Sequence, residues 1–295
     1  MVRDFAVDGP TLCLATNAGL YLSTDSGLSW TRHSMGMSHL VATAVAISPG
    51  RIVVGSHPYG VFVTDDVGQQ WRASDFVDPV YFSDVLEHNG KLILGYWGSE
   101  AWFRRGTSGW ERFSVPSEGL PVTSAARTLH SHQGSLYYYD GNRRTRLWRS
   151  DDDGASWTLT DTLRLSWETA IASGGSVLYV TSEDGAVVTP DHGGTWDYRP
   201  AGIQIIYGNV AACPGHVYLA NQNFLRHSTD AGLTWMQDTL GLEGARYSTL
   251  LATDSIVAVV RDGAGAWTYL KRHADPEYRR IEDGYDGPRG VVERP

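Results

Sequence analysis

Ser23-Thr24-Asp25-Ser26-Gly27-Leu28-Ser29-Trp30 is one copy of a pattern, Ser/Thr-x-Asp-x-Gly-x-x-Trp, that the chain repeats. The others are Thr64 to Trp71, Ser150 to Trp157, Thr189 to Trp196 and Ser228 to Trp235. Five copies in one chain are a repeat, and a repeat decides the architecture before any single residue does. Short β-prone runs such as Gly19 to Leu22, Gly60 to Val63 and Gly185 to Val188 lead into the pattern. That placement predicts a hairpin turn between two antiparallel strands. Asp25, Asp66, Asp152, Asp191 and Asp230 would accept backbone N–H groups further along and close the turn. The Gly would take a positive φ. Trp30, Trp71, Trp157, Trp196 and Trp235 would fold back as apolar lids over the outer strands.

The pattern resembles the Asp box, or BNR repeat, of sialidases and many other β-propellers. In that family the box lies on the outer, lower rim of each blade, away from the binding face. The resemblance therefore implies that the five Asp and five Trp residues are structural.

The spacing extends the repeat. Trp stands at positions 30, 71, 110, 157, 196 and 235. Trp110 follows a shortened copy, Arg104-Arg105-Gly106-Thr107-Ser108-Gly109, and Tyr278 ends a weakly similar stretch from Lys271 to Glu277. Units of about forty residues suit four-stranded propeller blades. The expected fold is all-β, a seven-bladed β-propeller of four-stranded antiparallel blades, with six blades as the alternative. No linker interrupts the repeats, so 1–295 reads as one domain. Its approximate blades are 2–37, 38–78, 79–120, 121–165, 166–204, 205–245 and 246–290.

The chain has 295 residues, 11 Trp, 15 Tyr and 33 Gly, which suits many short strands joined by tight turns. A formal charge of −9 argues against nucleic acid or an anionic membrane as partner. Cys13 and Cys213 have no metal-ligand spacing around them and read as two buried free thiols. No apolar segment is long enough to span a membrane, and no signal-like run follows Met1, so a cytoplasmic location is the expectation. No cofactor or metal is expected.

If the repeated turn marks one end of the blades, the loops between second and third strands lie at the other. Those loops carry His57, Tyr59, Tyr96, Trp97, Glu183, Asn221 and Arg261. The connections between units carry Trp167 and Tyr247, and the innermost strands begin near Asp84 and Glu168. Aromatic rings beside Asn and Arg suit a polar ligand with apolar faces. Tyr59, Tyr96, Trp97, Trp167, Asn221, Tyr247 and Arg261 are the candidate ligand contacts. Asp84, Glu168, Glu183 and His57 are the candidate acid–base groups of an enzyme acting on a sugar-like or natural-product substrate, as hydrolase or lyase. No two of them are tied by spacing, so the sequence leaves binding and catalysis both open. Sialidase activity is not expected, because the Arg-Ile-Pro type motif that the resemblance would bring is absent. The partner is a small polar or aromatic ligand, or a protein or peptide. The repeats also resemble those of photosystem-assembly and sortilin-like propellers, which hold a protein or peptide on an exposed face.

Overall fold

The computed structural model describes all residues except 1, 28, 34–40, 77–81, 97–100, 106–108, 116–128, 141–145, 162–169, 183, 203–208, 222, 243–246, 262–266, 285–286 and 292–295. Every regular element among them is a strand. The first sheet holds β1 (Val2–Asp8), β2 (Thr11–Thr16), β3 (Gly19–Ser23) and β4 (Thr31–His33). The second holds β5 (Ala42–Ser48), β6 (Arg51–Ser56), β7 (Gly60–Thr64) and β8 (Arg72–Ala73). The third holds β9 (Phe82–His88), β10 (Lys91–Tyr96), β11 (Ala101–Arg105) and β12 (Trp110–Ser114). The fourth holds β13 (Leu129–His132), β14 (Ser135–Asp140), β15 (Arg146–Ser150) and β16 (Thr158–Asp161). The fifth holds β17 (Ile171–Gly174), β18 (Val177–Thr181), β19 (Gly185–Thr189) and β20 (Asp197–Pro200). The sixth holds β21 (Asn209–Cys213), β22 (His216–Ala220), β23 (Leu225–Ser228) and β24 (Met236–Gln237). The last runs β25 (Tyr247–Ala252), β26 (Ile256–Arg261), β27 (Trp267–Arg272), β28 (Arg279–Gly284) and β29 (Gly287–Val291).

Each sheet is a meander in which neighbours in sequence are neighbours in space. The protein is an all-β propeller of four-stranded antiparallel blades. The four-stranded blade occurs six times, and the C-terminal sheet departs from it by the added strand β29, antiparallel to β28. The sheets group into two compact units, residues 1–115 with 281–295, and residues 116–280.

Within each unit the core is laid down between successive sheets, and strand periodicity of two supplies both faces. In β6, Ile52 and Val54 join Cys13, Leu20 and Val45 between the first and second sheets. Val53, between them in sequence, faces the other way and joins Phe82, Val85 and Leu94. In the other unit Val217 and Leu219 pack toward the fifth sheet, while Tyr218 and Ala220 pack toward the last. Middle strands such as β6 and β22 thus carry apolar residues toward both faces through their centres, and the outer strands β4, β8 and β24 are almost wholly exposed or half-buried. At Gly55 successive sheets approach closely, since a Cβ there would sit 2.9 Å from Phe82. Cys13 and Cys213 are both buried and free.

The repeated turn has one geometry in its five copies. In the first, the Ser23 hydroxyl donates to Asp25 Oδ1 at 2.7 Å and accepts the Gly27 N–H at 2.8 Å. Asp25 also accepts the Ser29 N–H at 2.8 Å. The same carboxylate-to-N–H bond recurs at Asp66, Asp152, Asp191 and Asp230. The Gly takes φ of 85° to 88° in these copies. The residue before it is also left-handed, although it is Ser26, Val67, Asp153, His192 or Ala231; the sequence does not announce that second constraint. The Trp rings go further than a lid over their own strands. Trp71 and Trp235 pack on the seam with the preceding sheet.

Candidate functional site

Strand register brings one inner-strand position to the fore. Asp4 lies opposite Ala15, Ala44 opposite Gly55 and Asp84 opposite Gly95, each beside a bulge. These three positions belong to β1, β5 and β9, which lie side by side within the first unit. They sit toward the strand ends remote from the repeated turns, because antiparallel pairing puts the β6–β7 loop and the start of β9 at that end. The bulge lets the side chain depart from strict alternation.

The two Asp side chains are buried, and their surroundings differ. Asp4 accepts the Phe5 N–H at 2.5 Å and, across to the next sheet, the Val45 N–H at 2.8 Å. Asp84 accepts a hydrogen bond from its neighbour Val85, which only partly offsets its burial. Burial pushes the Asp84 carboxyl from the usual carboxylate range up to about 7. A carboxyl poised there holds or releases a proton near neutrality, which is what general acid–base chemistry needs.

The adjoining β6–β7 loop carries two more candidates. His57 is half-buried, and its N–H donates to the Val41 carbonyl at 3.3 Å. Tyr59 is 46% exposed, a large ring left in solvent at the same end of the sheet. Tyr96 ends β10, opposite Phe82.

The other candidates distribute differently. Asn221 is buried, and its Oδ1 accepts the N–H groups of Asn223 at 2.8 Å and Phe224 at 2.7 Å, so it organises its own turn. Tyr247 is buried in the core between the sixth and last sheets. Arg261 ends β26, half-buried and opposite Tyr247. Glu168, Glu183, Trp97 and Trp167 lie outside the described residues. Among the described residues no group of three or more His, Cys, Asp or Glu is placed to hold a metal, and no helix is long and apolar enough to cross a membrane.

Sequence reasoning missed two groupings. Asp4 gives no signal of its role, since its partner Val45 lies on another sheet, 41 residues away. In the second unit His216, His227 and His273 gather around Tyr218. His216 Nδ1 and His227 Nε2 are 2.9 Å apart, Tyr218 Oη and His273 Nδ1 2.8 Å, and the His216 and His273 rings stack at 4.0 Å. Burial pushes His227 down to about 4.

No family model matches the chain, nor does any curated protein sequence. Solved structures do. Similarity extends to YCF48 bound to D1 peptide, with TM-score 0.64 and 17% identity over 88% of this chain and 87% of that one. YCF48 from Cyanidioschyzon merolae gives TM-score 0.64 and 15% identity over 92% and 95%. A streptogramin B lyase gives TM-score 0.63 and 11% identity over 88% and 89%. At these identities the likeness is one of fold. The same fold thus serves a peptide-binding protein and a lyase.

Proposed function

We propose that this chain is a binding propeller that holds a peptide or small polar ligand at the blade ends opposite the repeated turns. The turns themselves we assign to the Asp-box type, with a scaffolding role only. One observation carries the reading: the exposed ring of Tyr59 stands on the loop next to the inner strand of Asp84. An aromatic face beside a carboxyl that can donate or accept is suited to a backbone amide or a hydroxyl. The peptide-bound YCF48 shares the fold and lends support. The proposed contacts in the first unit are Tyr59, Tyr96 and Trp97; in the second unit Trp167 and Arg261 are the separate candidates, while Asn221 holds its own turn and Tyr247 lies in the core.

A second reading is acid–base catalysis as a lyase or hydrolase, favoured by the position of Asp84 near neutrality. His57 is its proposed companion within the first unit, and Glu168 and Glu183 are the acid–base candidates of the second. A screen of short peptides, sugars, nucleosides and aromatic metabolites by thermal shift tests both. A hit should weaken about tenfold in Tyr59→Ala, whose ring is exposed and not needed for folding. Turnover lost in Asp84→Asn with binding kept would select the enzyme. Undiminished binding in both Tyr59→Ala and Trp97→Ala would rule out this face.

A further inference from the structure

A cleft lies elsewhere in the first unit, on the flank where the repeated pattern is degenerate in sequence. Intact turns fill the space against the preceding sheet: a Cβ on Gly68 would lie 3.1 Å from Leu22 and 3.3 Å from His33. The segment of the third sheet lacks the Asp of the pattern and retains Trp110. Between the second and third sheets there is a cleft of about 410 Å³. That is within the range of small-molecule sites.

Its floor is apolar, built from Val53, Val63 and Leu92, and Trp110 forms one wall. The indole is fixed: its Nε1–H donates to Asp75 Oδ1 at 2.9 Å, and its ring meets Phe76 edge-on at 5.0 Å. The charged lining has two signs. Arg51 and Arg72 are positive, Glu87 and Asp75 negative. Asp65 orients both guanidiniums, accepting from Arg51 Nε at 2.7 Å and from Arg72 Nη2 at 2.6 Å. Among the described residues Arg72 pairs with Asp65 through Nη2, which leaves its Nε and Nη1 donors for a ligand. Glu87 reaches Arg51 only at 3.8 Å, beyond a hydrogen bond.

We propose that this cleft binds a free amino acid with a large apolar or aromatic side chain. A simple anion would meet Glu87 and Asp75, and a simple cation would meet the two Arg residues. A zwitterion satisfies both: its carboxylate takes the spare donors of Arg72, and its ammonium faces Glu87. The side chain lies on the Val53, Val63 and Leu92 floor against the fixed indole. This site is independent of the reading proposed for the opposite blade ends.

The test is calorimetric titration of the intact protein with L-phenylalanine, N-acetyl-L-phenylalanine, L-phenylalaninamide and L-alanine. L-phenylalanine should bind saturably. Blocking either charged end should weaken it about tenfold or more, as loss of a charge-assisted bond does. L-alanine should not bind measurably. Arg72→Gln and Glu87→Gln should each reproduce that loss with an unchanged melting temperature, since both side chains are at least partly in solvent. Absence of saturable binding by L-phenylalanine overturns the proposal. So does binding that ignores the blocking groups, which tests the wild-type protein without reliance on any variant.

Discussion

Asp4 and Asp84 occupy the same register position of their sheets, yet two backbone amides converge on Asp4, one of them from the next sheet, while Asp84 is left with its neighbour's. The Asp4 carboxylate ties β1 to β5. The Asp84 carboxyl stays at about 7 because burial outweighs its one bond. A scaffold position has thus been left chemically loose in one sheet.

That looseness has a thermodynamic signature. The folded-state value of Asp84 lies above its ordinary one, so folding favours the protonated form. Stability should therefore fall as pH rises from about 4 to 7 and stay flat beyond, by an amount on the order of a few kcal/mol. Asp84→Asn removes this contribution. Urea unfolding of both proteins at pH 5 and pH 8 should show the variant gaining on wild type at the higher pH. Parallel profiles would mean that Asp84 is ionised normally. By contrast, Asp4→Ala should cost about 2–4 kcal/mol at either pH, because two buried N–H groups lose their acceptor.

The turns were legible in the sequence because hydroxyl, carboxylate, glycine and indole all fall within eight residues, as in Ser23 to Trp30. The meander followed from their spacing. What sequence could not supply was the phase of the inner strands. Tyr247 reads as a funnel residue by its place at the head of β25, but a bulge between Tyr247 and Thr249 breaks the alternation and the ring lies in the core. Asn221 reads as a loop side chain, while its carbonyl is spent on its own turn. The His216–His227–His273 grouping was invisible for another reason: it forms only when the sixth and last sheets meet.

Within a turn, Gly232 is the residue least open to change. Its φ is +85°, and a Cβ there would lie 3.1 Å from Trp235 and 3.4 Å from Arg199. Gly232→Ala should cost about 1–3 kcal/mol, read as a lowered melting temperature. Asp230→Ala should also lower it, by loss of the bonds to Thr234 and Ser228 that hold this carboxyl at about 2. The Asp230 contribution is present above the ordinary carboxylate range and is lost as pH falls toward 2. Ligand binding should survive both changes. A variant that folds normally but loses a ligand would show that the turn does more than scaffold.

The histidine grouping should make the second unit acid-sensitive. His216 Nδ1 and His227 Nε2 share one hydrogen bond, so one nitrogen must be unprotonated. Burial lowers both, His227 to about 4, and the charged neighbours are Lys271 and Asp238, with His273 stacked alongside. The folded state favours neutral rings, so this stabilisation is full above about pH 6.5 and is lost as pH falls toward 4. The loss of urea midpoint over that window should be smaller in His227→Gln than in wild type. Equal losses would assign the acid sensitivity elsewhere.

Lys271 and Asp238 form the most enclosed ion pair described. Nζ lies 2.5 Å and 2.6 Å from the two carboxylate oxygens, with side chains 7% and 11% exposed. Tyr278 donates its hydroxyl to the same carboxylate at 3.1 Å, and Nζ sits 4.7 Å above its ring. Tyr278 thus holds the place of the turn Trp in a unit without the full pattern, its ring buried in the core of the last sheet. Lys271→Met strands a buried charge and should cost about 3–5 kcal/mol. The pair Lys271→Met with Asp238→Leu should recover most of that, because desolvation of the two ions then disappears along with their attraction. Recovery in a double-mutant cycle of urea midpoints would mean that desolvation of the two ions offsets their attraction. A double variant as unstable as the single one would instead make the ion pair a net source of stability.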